Sequence, residues 1–128
     1  MHKEITGCMS NFKVSADGKI CGTFIFPSDF IGFQGHFPDK PVLPGVCKIL
    51  AVKIMMQKYY KQKLSIKQII TAKFFAPVTC KDELVIECLP NENKNGICIV
   101  KAMLTCQGKK ISKLEIEIEK NGDNVAAS

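Results

Sequence analysis

The chain has 128 residues, a formal net charge of +6, and 46% hydrophobic residues. That length suits a single domain, residues 1–128, with a real apolar core, and no apolar run reaches the roughly 18 residues that a membrane span needs. Every basic residue is a lysine and only 8% of residues are aromatic. This argues against a nucleic-acid partner, which favours arginine forks and aromatic stacking platforms.

Seven cysteines are scattered at 8, 21, 47, 80, 88, 98 and 106, an odd count with no Cys-x-x-Cys pair. A disulfide framework and a zinc site are both disfavoured, so no metal is expected, and reduced thiols in a cytoplasmic protein are the simplest expectation. The opening residues, MHKEITGCMSNFKV, lack the apolar core of a secretory signal. A domain of this size buries only about two-thirds of its unfolded surface, so dimerisation would help it.

In chain order, residues 10–26 predict a hairpin. SNFKV and KICGTFIF flank SADG, whose Asp-Gly pair is a turn signal. Ile20, Gly22, Phe24 and Phe26 fall on one face by the strand period of two. Residues 27–45 carry four prolines and three glycines, too many for a regular element, yet also Phe30, Ile31, Phe33 and Phe37. A loop that apolar is expected to pack and to be ordered.

From Val46 to about Lys61 no breaker occurs. Lys53, Gln57 and Lys61 form one thin polar stripe, and nearly every other position up to Met56 is apolar. The pattern predicts a helix about 24 Å long, buried on most sides, with Pro44 suited to its first turn. Four strands follow: QIITAKFFAPV, DELVIECLP, ICIVKAMLTC after the polar turn NENKNG, and KISKLEIEIEK after QGKK. In the last, Leu114, Ile116 and Ile118 alternate with Glu115, Glu117 and Glu119, as in an antiparallel sheet with one wet face. The tail, about residues 120–128, reads as disordered. One buried helix among six strands must be wrapped by a curved sheet, an α+β arrangement.

The stretch GHFPDKPVLPGV, residues 35–46, resembles the loop of the hotdog-fold (3R)-hydroxyacyl-acyl-carrier-protein dehydratases. His36, Phe37, Pro38, Pro41, Val42, Leu43, Pro44, Gly45 and Val46 stand in register with it. Phe33 to Gly35 and the later KFFAPVTCKDEL fit as well, so the resemblance spans about residues 10–119. It implies a sheet wrapped around one central helix. It also implies loss of water from a 3-hydroxyacyl thioester held on an acyl carrier protein or coenzyme A. No cofactor is implied.

By this resemblance His36 is the catalytic base toward C2. Phe33, Gly45, Val46 and Leu50 border the substrate, with N–H groups at Gly45 and Val46 polarising the thioester carbonyl. Those donors lack intrahelical partners in any helix. In the family a Glu or Asp fourteen residues beyond the histidine handles the hydroxyl, usually across a dimer interface. That position is Leu50, and no Asp or Glu occurs between Lys40 and Thr79. Leucine transfers no proton.

Asp39 and Asp29 are substitutes to test, although turn carboxylates are usually solvated. Cys47, in the first helical turn, could pair with His36 against a thioester. The plainer reading is a small apolar residue. The Lys53–Gln57–Lys61 stripe could face a carrier protein or simply water, and Met55 and Met56 read as core. Three classes follow: a dehydratase weak or inactive as a homodimer, a His-donating subunit of a heterodimer with a paralogue, and a non-catalytic acyl-binding module. An acyl thioesterase is a variant within the same fold.

Overall fold

In a computed structural model, described over residues 1–33, 42–93 and 95–124, a short helix α1 (His2–Thr6) precedes the hairpin β1 (Met9–Val14) and β2 (Ile20–Ile25). A 3-10 turn at Ile31–Phe33 and the long helix α2 (Gly45–Tyr60) come next. Four strands follow: β3 (Gln62–Phe74), β4 (Glu83–Glu92), β5 (Ile97–Cys106) and β6 (Lys109–Asn124). The strands form one antiparallel sheet in the order β1-β2-β4-β5-β6-β3.

The expected hairpin forms, closed by the Ser15 N–H donating to the Lys19 carbonyl at 2.9 Å. The period-two pattern decides which face is dry. Ile20 and Phe24 in β2, Leu84 and Ile86 in β4, Val100 and Leu104 in β5, and Leu114, Ile116 and Ile118 in β6 are all buried. They face α2, whose Cys47, Ala51, Met55 and Met56 are wholly buried. Helix and sheet meet closely at Gly22, where a Cβ would stand 3.2 Å from the Met55 methyl carbon. This is the α+β hotdog arrangement implied by the sequence, with Met55 and Met56 in the core.

Three departures from expectation have local causes. β3 begins at Gln62, six residues early, because Lys61 adopts a left-handed conformation (φ 56°) that ends α2 and turns the chain straight into the sheet. Leu64 and Ile66 then continue a period of two through an otherwise polar run. β6 pairs with β3 as far as Asn124, past the point where the sequence places the tail. The third is α1, too short for a periodic signal, which is anchored by the fully buried Ile5.

Candidate functional site

The N-terminal end of α2 gathers the described part of the predicted site. Pro44 takes an extended conformation (φ −62°, ψ 149°) as N-cap, so the helix starts at Gly45 and Val46. Proline brings neither an N–H nor a capping side chain, so no side chain caps the helix. The Cys47 N–H donates to the carbonyl of the N-cap Pro44 at 3.0 Å, and the Gly45 and Val46 N–H groups before it have no acceptor within the helix. The segment entering α2 is tied to the loop after β3, with Leu43 N–H donating to the Val78 carbonyl at 2.7 Å and Val42 bridging Thr79.

Phe33 is placed at the same end but inside the core. The rings of Phe24, Phe26, Phe30 and Phe33 form a file with successive centroid separations of 6.1, 4.8 and 5.6 Å. The 3-10 turn fits against α2 because Gly32 has no side chain. A Cβ there would lie 2.3 Å from the Phe30 ring and 3.0 Å from Cys47 Sγ. Phe33 and Val42, which flank residues 34–41, are thus both held near the first turn of α2. His36 and Asp39 lie outside the described residues.

Leu50 stands one turn beyond Val46 on the same side of α2, followed by Lys53 and Gln57. Val46 is 56% exposed, and Leu50 is half-buried against the edge of the core. Lys53 and Gln57 at the far end of the stripe border β3, whereas Val46 and Leu50 lie on its less covered first two turns, so an acid at position 50 would stand at the partly exposed edge of the core. Leu50 offers only apolar surface there.

Other candidates resolve into structural parts. Cys47 is fully buried with Sγ 3.4 Å from Met1 Sδ, and burial raises its thiol above the ordinary value, against the effect of the nearby N-terminal amine. That environment suits the apolar role and not a thiolate nucleophile. The Cys88 thiol is likewise pushed up to about 12, chiefly by burial. Gln57 Oε1 accepts from the Leu64 N–H at 3.0 Å while Nε2 lies 3.2 Å from His2 Nε2, so Gln57 ties α1, α2 and β3 together. Asp29 is exposed.

One residue escaped the sequence reading. Lys48 is only 3% exposed, and its Nζ sits 5.0 Å above the centre of the Phe74 ring. Burial holds the ammonium below the ordinary lysine value, with a smaller opposing effect from Cys106. The one available signal was its place as a lone charge in the apolar run VCKILAV. Phe74 also closes on Gly45, where a Cβ would meet the ring at 2.9 Å. The cluster borders a cavity of about 390 Å³ at the helix start. Among the described residues, no group of three or more His, Cys, Asp or Glu side chains could hold a metal ion. No helix there is long and apolar enough to cross a membrane.

Comparison with known proteins gives concordant results. Residues 13–117 match the family profile described as ApeI-like, ApeI dehydratase. The 3-hydroxyacyl-[acyl-carrier-protein] dehydratase FabZ of Clostridium novyi is 35% identical over 91 residues, covering 66% of this chain and 64% of the relative. The FabZ of Thermoanaerobacter sp. is 34% identical over 103 residues, covering 75% and 62%. The chain thus spans under two-thirds of the length of these relatives. The dehydratase heterocomplex ApeI:P from Xenorhabdus doucetiae contains a chain that superimposes with a TM-score of 0.70 at 22% identity, covering 88% of this chain and 96% of that one. A hypothetical thioesterase from Streptococcus pneumoniae, solved with coenzyme A, gives 0.68 at 12% identity over 96% and 95%. At such identities the structural likeness speaks for the fold.

Proposed function

The chain belongs to the ApeI-like dehydratase family, and from that premise we propose that it binds acyl thioesters of the 3-hydroxyacyl type and is a weak or inactive dehydratase on its own. The observation that carries this reading is Leu50, a half-buried apolar side chain on the second turn of α2 where the resemblance calls for a proton donor. His36 is assigned as the base toward C2, and the Gly45 and Val46 N–H groups as donors to the thioester carbonyl. Donors fixed at a helix start need no reorganisation as negative charge builds on that oxygen. Without the acid, departure of the C3 hydroxyl lacks assistance worth roughly 10²–10⁴ in rate.

A second reading has its own support. Among the described residues β3 is a free sheet edge with Ile69 and Ile70 exposed, and a structural neighbour is described as a dehydratase heterocomplex. In this reading the chain lends His36 to a paralogous subunit that supplies the missing carboxylic acid, the two joined along β3.

The test is incubation with a 3-hydroxyacyl pantetheine thioester while enoyl absorbance is followed. Little or no turnover by the chain alone is expected, with a gain for Leu50→Glu. Turnover that appears for the unaltered chain only with a Glu-bearing paralogue selects the heteromer. Full-rate turnover by the unaltered homodimer overturns the role given to Leu50, and absence of thioester binding overturns the function as a whole.

A further inference from the structure

The cleft at the start of α2 carries an ammonium group, Lys48, that the dehydratase reading does not use. Val42, Leu43, Phe74 and Phe75 give it apolar walls, and Gly45 and Lys48 bring the helix start and an ammonium group to it. Lys48 is two residues before Leu50, so it points about 160° away round the helix. The cavity therefore lies on a different side of α2 from the stripe that carries Leu50.

An ammonium group withdrawn from water is costly unless an anion meets it. Lys48 is only 3% exposed, and among the described residues it has neither a hydrogen-bond partner nor a carboxylate within ion-pair reach. Its Nζ lies over the Phe74 ring face, with the Cys106 thiol the titratable neighbour that acts on it. The second source of positive potential is the sixteen-residue helix itself, which ends here with first-turn N–H groups that no capping side chain accepts from. One cation and a helix start match a single negative charge. The apolar walls of this open cleft, with Phe74 and Phe75 both about half exposed, match a hydrocarbon chain laid along the surface.

We propose that this cavity binds a free carboxylic acid with a short or medium apolar chain, its carboxylate held between Lys48 Nζ and the start of α2. A neutral occupant would leave the ammonium unpaired. A phosphate would ask for more donors than these apolar walls supply. The carboxylate would compete with a thioester carbonyl for the helix-start N–H groups, while its contact with Lys48 stands whether or not the dehydratase reading holds.

The test uses the full chain and three probes: octanoate, octanamide and octanoyl pantetheine, each titrated by calorimetry, with backbone amide shifts locating the contact. Octanoate is expected to bind at least tenfold more tightly than octanamide, with shifts centred on Gly45–Lys48 and Phe74–Ala76. In Lys48→Met the two probes should bind equally, and Lys48→Arg should keep the preference. Lys48→Met is close in shape and removes a buried charge, so folding should survive; if it does not, the ratio in Lys48→Arg and the location of the shifts in the unaltered chain still decide. Equal binding of octanoate and octanamide by the unaltered chain would falsify the proposal. So would shifts elsewhere on the protein, or no octanoate binding at millimolar concentration. Tighter binding of octanoyl pantetheine than of octanoate would reassign the cavity to a thioester.

Discussion

β1 and β3 both border the sheet on one side only, yet they treat that position differently. β1 is six residues long, its register slips between Ser10 and Lys13, and Asn11 sits at φ 53° within the slip. Its exposed positions include Ser10, Asn11 and Lys13. A short, bulged, polar border with an inserted lysine discourages pairing with another chain. β3 is thirteen residues long, and its slips lie on the side facing β6. Ile69 is 47% exposed and Ile70 41%, at the register slip between Ile69 and Thr71, with Phe74 and Phe75 exposed at the far end. A border strand that leaves several apolar side chains wet gains most by continuing the sheet into a partner. Single exposed hydrophobics are ordinary, but a cluster on an open edge points to association.

The largest expected effect follows directly. Ile69→Lys together with Ile70→Lys should weaken self-association, or association with a paralogue, by at least roughly a thousandfold, since burying each isoleucine is worth about 1.5–3 kcal/mol and two copies contribute. Sedimentation equilibrium measures it. Val14→Lys on β1 should leave the assembly unchanged. If both borders respond alike, or neither does, the distinction between them is wrong.

The next effect joins that border to the chemistry. Leu50→Glu should raise dehydration of a 3-hydroxyacyl thioester by roughly 10²–10⁴. If the site is completed across the β3 junction, the gain should vanish when the same change is made in the Ile69→Lys/Ile70→Lys background. A gain that survives in the monomer would place the whole site in one chain and separate association from catalysis.

How much of this could be read beforehand differs from one element to the next. The β1–β2 hairpin was legible because Asp17-Gly18 fixes the turn and Phe24 and Phe26 mark the face. α2 was legible from its unbroken apolar run, and the observed Gly45–Tyr60 lies within a residue of the expectation at each end. The first half of β3 was not, because Lys61, Gln62 and Lys63 look like the continuation of a polar helix stripe. Only the left-handed Lys61 shows that the helix has ended. That β3 is a border strand was invisible for a deeper reason: strand order is set by long-range pairing with β6, some fifty residues on, and no local pattern encodes it. At the site, the motif pointed to Gly45, Val46 and Leu50, which lie along the first two turns of α2. The burial of Lys48 beneath Phe74 depends on a strand distant in sequence, so a lysine that looked like one of many is the charge with the most unusual surroundings.

The inner side of β3 should respond in stability and not in association. Leu64 is 2% exposed and packs in the core, so Leu64→Ala should lower the free energy of unfolding by about 2–5 kcal/mol in urea. Ile69→Ala, on a wet face of the same strand, should change the isolated chain by no more than about 0.5 kcal/mol. Similar losses at the two positions would mean that Ile69 is covered within a single chain, which would remove the main argument for a partner along this strand.

The smallest expected effect lies at the far end of the same ladder, where Ser112 of β6 stands opposite Phe74. Its side chain is fully buried, and Oγ has no hydrogen-bond partner among the described residues. A buried hydroxyl without a partner carries a desolvation penalty of about 1–3 kcal/mol, and alanine fills nearly the same space without it. Ser112→Ala should therefore leave urea stability unchanged or raise it by up to about 1 kcal/mol, with association untouched. A clear loss of stability confined to the associated protein would show that the hydroxyl gains a partner only when the β3 border is covered. The contrast between the two borders would then extend into the interior, since joining along β3 would complete a hydrogen bond that the single chain leaves unmade.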